Sequence, residues 1–161
     1  MREYYPVQIN LNQAIYYMIW YTDEEDGFIT EFSKPLLFPD FDELKQYAKN
    51  SGLQLEKDLT SYDFEAVTKW VENPEVKFEC ELFLDCWNFF NDLSKSVGRP
   101  FKGNFDTGNT VDVYNKLFYG SNLPAIRKDG EKYIPGWDEK ELLRLKTIME
   151  DGLSILVPFI K

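Results

Sequence analysis

An α+β fold follows from three features of the sequence. A stretch rich in Ile and aromatics, Ala14 to Tyr21 (AIYYMIWY), reads as a strand near the start. Helical periodicity dominates the middle. The remaining strand candidates are short and scattered rather than alternating with helices, which separates the chain from a parallel α/β design. The expected architecture is an N-terminal β-hairpin or small antiparallel sheet, packed with about five helices around one central buried helix. At 161 residues the chain is read as a single domain, 1–161.

The central helix is predicted over Phe78 to Val97. At 3.6 residues per turn, Leu82, Phe83, Cys86, Trp87, Phe89, Phe90, Leu93 and Val97 fall on one broad apolar arc. Glu81, Asp85, Asn88 and Asp92 stack as a narrow stripe on the other side, read as an acidic edge left in water.

Taken in order, residues 1–13 read as an irregular or partly extended lead-in. Asp23-Glu24-Glu25-Asp26-Gly27 makes a turn, with Gly27 able to take a positive φ, and Phe28 to Phe32 returns as the second strand of a hairpin. Asp40 can cap a helix from Phe41 to Asn50, with Glu43 at capping-box spacing. Leu53 to Leu55 is a short strand candidate. Asp63 caps a helix over Phe64 to Glu72, which Asn73-Pro74 stops. Residues 99–109 (RPFKGNFDTGN) are the least regular part and the best candidate for a functional loop. Thr110 is expected to cap a helix through Phe118. An extended piece at Leu123 to Ile126, a turn at Lys128 to Gly130 and a return over Lys132 to Ile134 follow. Asp138 caps a last helix from Glu139, expected to end at Gly152, with the tail LSILVPFI as a strand or docked extended segment.

Composition narrows the function. The net charge is −10, so nucleic-acid binding, which needs a basic footprint, is not expected. The charge is uneven. Residues 1–92 carry 19 acidic against 7 basic residues, a balance of −12, and residues 93–161 carry 9 against 11, a balance of +2. A negative first half suits a basic partner. No apolar run approaches the roughly 20 residues of a membrane span, and the start lacks a signal-peptide core. Cys80 and Cys86, roughly 9 Å apart along one helix, are too far apart to bridge and read as buried thiols of a reducing compartment, the cytoplasm.

Absences limit the chemistry. There is no histidine, no P-loop, no dinucleotide fingerprint after a strand and no nucleophile elbow. No cofactor or metal is expected. Carboxylates are what remain for an enzyme: Glu81, Asp85 and Asp92 could in principle serve a hydrolase or a divalent ion. As a binding surface, the same three join Asp23, Glu24, Glu25 and Asp26, and whether the two groups share a face is open. Tyr114, Tyr119 and Trp137 form a second candidate surface, with Trp137 the tryptophan most expected to be exposed.

Two stretches carry a resemblance. DCWNFFNDLSKSVG (Asp85 to Gly98), together with VYNKLFYGSNLPAI (Val113 to Ile126) and the following Tyr133 to Trp137, resembles small acidic immunity proteins that accompany bacterial polymorphic toxins, including contact-dependent growth inhibition systems. The resemblance covers the second half of the chain and transfers no functional residue. It implies a cytoplasmic, non-catalytic inhibitor of a cognate toxin C-terminal domain, such as a nuclease with a basic active site, acting as a monomer or weak dimer. The alternatives are the carboxylate enzyme above and a plain interaction adaptor.

Overall fold

The computed structural model describes residues 1–124 and 131–160, and its fold is α+β. Strands β1 (Glu3–Leu11) and β2 (Ala14–Thr22) form a hairpin paired over their full length. The turn, Asn12-Gln13, holds φ of 54° and 62°, the two positive values that a type I′ turn requires. The lead-in, expected to be irregular or partly extended, is thus an inner strand from Glu3 onward. Its signal is alternation, since Val7, Ile9 and Leu11 bury one face together.

The return strand expected over Phe28 to Phe32 is cut short. β3 (Gly27–Phe28) pairs with the outer edge of β2, and the Ile29 N–H adds one bond to the Ile19 carbonyl (2.9 Å). The chain then diverges into a separate ribbon, β4 (Thr30–Glu31) and β5 (Lys34–Pro35). Its turn residues, Phe32 and Ser33, hold φ of 53° and 62°, costing about 1 kcal/mol each in side chains that lack glycine's freedom. Phe38 resumes the vacated edge, exchanging two 2.8 Å backbone bonds with Tyr17.

β6 (Thr60–Asp63) runs parallel to β1, so the sheet is mixed, in the order β3-β2-β1-β6, and not antiparallel as expected. Its pairing begins at Val7, one residue past Pro6, which has no N–H to give. Leu53 to Leu55, the expected strand, contributes only a bridge from Leu55 to Tyr4. The sequence TSYD hides β6 because only Tyr62 of its four residues turns inward.

The two sheet faces are covered unequally. α1 (Phe41–Asn50), capped by the Asp40 carboxylate at Glu43 N–H (2.8 Å), packs Leu44 and Ala48 against Ile19 on one face. The other face meets α2 (Phe64–Glu72) and α3 (Cys80–Val97), and α4 (Thr110–Gly120) and α5 (Glu139–Leu156) pack in turn on α3. α2 follows β6 directly, its first turn capped by Asp63 at Ala66 N–H. Both halves of a capping box start α5, between Asp138 and Glu141. α4 departs from expectation: its cap position is Asn109, whose side chain accepts from Arg144 instead (2.9 Å), while the Thr110 hydroxyl donates back to the Thr107 carbonyl.

α3 is the centre, as its periodicity predicts, and Gly98 ends it in a left-handed cap at φ 70°. It begins at Cys80, two residues later than expected; Phe78 packs its ring on Trp70 and Phe83 from outside. Leu84, which lies outside the predicted arc, is buried, whereas Leu82 is only partly so. Phe89 touches Phe28, Tyr62 and Phe64, with ring centroids 4.7 to 4.9 Å apart, and Phe90 stacks on Phe64 at 5.3 Å. Such aromatic pairs add about 1 kcal/mol each beyond the area they bury.

α5 overturns the reading of the C-terminus. Gly152 is not a stop, because the helix continues to Leu156 and passes into a 3₁₀ turn, Val157–Phe159, in place of a strand. A Cβ at position 152 would stand 2.1 Å from the Phe90 ring, so the glycine is where α5 passes over α3. The turn expected at Lys128 to Gly130, with part of the extended piece before it, lies outside the described residues. Lys132 to Ile134 form no strand; Tyr133 is instead held by the Asn122 amide, which accepts its N–H (2.6 Å) and donates to its carbonyl (2.9 Å).

Helix propensity alone would make Gly152→Ala stabilising by about 1 kcal/mol. Overpacking against Phe90 acts in the other direction, so the substitution is expected to destabilise by about 1–3 kcal/mol. Urea melts decide the sign, and an alanine variant as stable as the wild type would mean that α5 and α3 do not touch here.

Candidate functional site

Whether the acidic turn and the acidic stripe share a face is settled by β3. The Ser96 hydroxyl on α3 accepts the Phe28 N–H (2.9 Å) and donates to the Asp92 carbonyl (2.9 Å), pinning β3 to the helix. Gly27 permits this approach, since a Cβ there would fall 2.6 Å from the Tyr21 hydroxyl and 2.8 Å from the Ser96 oxygen. Close contact, and not a positive φ, is the reason for glycine at that position. The turn is thereby folded down beside the stripe.

Between them lies a cleft of about 360 Å³ lined by Asp26, Asp85 and Asp92. Its walls are aromatic, made by Trp20 from β2, Phe28 from β3, Tyr62 from β6 and Phe89 from α3. Asn88 and Asn91 line both this cleft and a neighbouring one of about 240 Å³ formed with Gly103 to Asp106 and Tyr114. The two therefore adjoin along α3. The Asn91 amide oxygen is buried without a hydrogen-bond partner at this junction.

Three of the stripe's four residues, Glu81, Asp85 and Asn88, are exposed as expected, and Asp92 is the exception. Asp92 is partly buried and accepts the Trp20 indole N–H at 2.9 Å. Burial raises its carboxyl, helped by Asp26, against the opposing pull of the Trp20 bond and Lys95. Asp85 keeps an accessible edge, yet the protein packed around its carboxyl, followed by the charge of Glu81, pushes it up to about 6. Burial, then Asp85, raises the Tyr62 phenol as well. Asp85 and Asp92 thus ionise less readily than free carboxyls.

The other expected residues divide. Glu81 acts on Asp85 but does not line the cleft, and Glu24 and Glu25 are exposed on the turn. Asp23 turns the other way, to Arg2 (3.0 Å), which lowers its pKa. Of the second surface, Tyr114 donates to the Asn88 oxygen (2.9 Å) and lines the smaller cleft. Tyr119 is exposed. Trp137 is partly buried, packed on Phe78 with the Lys116 ammonium 5.5 Å from its ring. Trp137 lines a separate pocket beside Cys80 and Ile134, so the three do not gather in one place. The loop 99–109 contributes Gly103 to Asp106 to the smaller cleft. Trp20 and Phe28 are absent from the sequence-derived site because each reads as an ordinary strand aromatic, and Tyr62 because its segment carries no strand signal.

Cys80 and Cys86 are both free and buried, and burial raises both thiols. Among the described residues no three His, Cys, Asp or Glu side chains converge as a metal site. No helix among them is long and apolar enough to cross a membrane. Compared with known protein families, with curated proteins and with solved structures, the chain gives no match.

A carboxyl whose pKa rises on folding holds its proton more tightly in the native state. It opposes folding above about pH 6, and that opposition fades as the pH falls toward the ordinary value of 3.8. Asp85→Asn is therefore expected to be more stable than the wild type near neutral pH, by about 1 kcal/mol once solvent screening at its open edge is allowed for. The advantage should vanish by about pH 4. Denaturant melts across this range test it, and a stability difference independent of pH would mean that the Asp85 carboxyl is not raised on folding.

Proposed function

We propose that the protein is a non-catalytic acidic inhibitor of the immunity class, acting in the cytoplasm. It binds a cognate toxin domain of basic surface by seating a lysine or arginine in the cleft between β3 and α3. The observation that carries this reading is the gathering of Asp26, Asp85 and Asp92 from two elements under aromatic walls, with two carboxyls raised by burial. A cation entering the cleft restores what these groups lose on leaving water. Trp20 and Tyr62 line the cleft, and aromatic rings attract a guanidinium that comes close to them. Arginine is also the side chain most often found anchoring interfaces.

The surrounding charge supports the same partner. Glu24 and Glu25 stand exposed beside the cleft's Asp26, and the half of the chain that supplies the three acids carries the −12 balance. A toxin that cleaves nucleic acid has a basic active site, and an acidic surface can occupy it as phosphates do.

The immunity reading requires a toxin gene beside this one, and its toxin domain, produced with and without the inhibitor, is the test. The wild type should restore growth of a strain making the toxin. Neutralising Glu24, Glu25 and Asp26 together should slow association and flatten its salt dependence. Asp92→Asn, which keeps an acceptor for Trp20, should speed dissociation, with a loss of about 2 kcal/mol, roughly thirtyfold. No rescue by the wild type would dismiss the immunity reading. Rescue with kinetics indifferent to all four substitutions would move the interface off this cleft.

A further inference from the structure

The β4–β5 ribbon displays a side chain for which the fold has no use. Phe32 is 97% exposed while holding a φ of 53°, a conformation that asparagine or glycine fills more easily. It stands at the rim of an apolar groove of about 840 Å³ walled by Tyr16, Pro35, Leu37, Pro39 and Phe159. The charge there is equally informative. On a chain of net charge −10, the charged side chains lining this groove are Glu31 and Lys34, one of each sign and opposite each other across the ribbon. Two copies of so acidic a molecule repel each other, and least where the local charge cancels.

We propose that this face pairs with a second copy of the chain about a two-fold axis, each Phe32 entering the other copy's groove. A finger and a groove side by side on one face are self-complementary, because two-fold symmetry repeats each contact in reverse. The same arrangement lets Glu31 of one copy meet Lys34 of the other, so both rim charges find opposite partners. One aromatic finger per subunit makes a small contact, and the association is weak. Salt strengthens it, because screening removes the long-range repulsion while leaving the apolar contact intact. This is the reverse of what salt does to cation binding at the acidic cleft. No residue lines both sites, so the dimer stands or falls apart from the immunity reading.

Sedimentation equilibrium from micromolar to millimolar protein, at low and high salt, tests the proposal on wild type and Phe32→Asn. The wild type should dimerise with concentration, more tightly at high salt. Phe32→Asn, which suits the turn, should melt no lower than the wild type yet dimerise at least about tenfold more weakly. Glu31→Lys should weaken the dimer, and adding Lys34→Glu should restore it. A wild type that stays monomeric throughout, a dimer that loosens with salt, or one indifferent to Phe32→Asn would overturn the second copy as occupant and leave the face to a partner of another sequence.

Discussion

Phe89 and Phe90 are consecutive on α3, so their rings leave the helix about 100° apart and need cover on two sides at once. Phe89 is met from the sheet by Phe28 and Tyr62, and Phe90 by Phe64 and by α5 at Gly152. This double demand sets the sheet on one flank of α3 and α5 on the other. It also explains why a glycine survives inside an 18-residue helix, where it weakens helix formation. The loss in propensity is smaller than the strain that any side chain would create against Phe90.

The acidic cleft is a consequence of the same packing. Bringing Phe28 onto Phe89 carries β3 and its acidic turn to the edge of α3, and Trp20 comes with it over Asp92. One Asp92 oxygen is compensated by the indole N–H, while the other carboxylates gain no comparable donor among the described contacts. The core thus gains aromatic contact at the expense of nearby charges.

The charge division of the sequence becomes a division of roles. In the second half, basic side chains hold the fold to itself. Lys116 reaches Glu141 (2.6 Å) and the Gly136 carbonyl (2.7 Å), and Arg144 binds the Asn109 side chain, fastening α4 and the segment before α5. In the first half, acids outnumber bases too far for such pairing. Arg2 takes Asp23, and Glu24 and Glu25 face solvent. An excess of one sign that cannot be neutralised internally is left at the surface, where it sets the sign of the local field.

By itself the sequence determines what depends on neighbours along the chain. The aromatic arc of α3, the caps at Asp40, Asp63 and Asp138, and the left-handed close at Gly98 are legible because each is an interaction within a few residues. So is the acidity of the first half. What involves distant residues is not legible in this way. β6 is recognisable only once β1 lies beside it, and Gly27 and Gly152 read as turn and stop until a ring or hydroxyl from elsewhere shows the space they leave. The candidate site divides along the same line. Its carboxylates stand out in the sequence as charges, but their meeting, the desolvation of Asp85 and Asp92 and the Trp20, Phe28 and Tyr62 walls come from three strands converging on one helix. Local hydrogen bonding and periodicity are encoded over a few residues, whereas desolvation depends on every atom nearby in space, and only the tertiary structure decided which atoms those are.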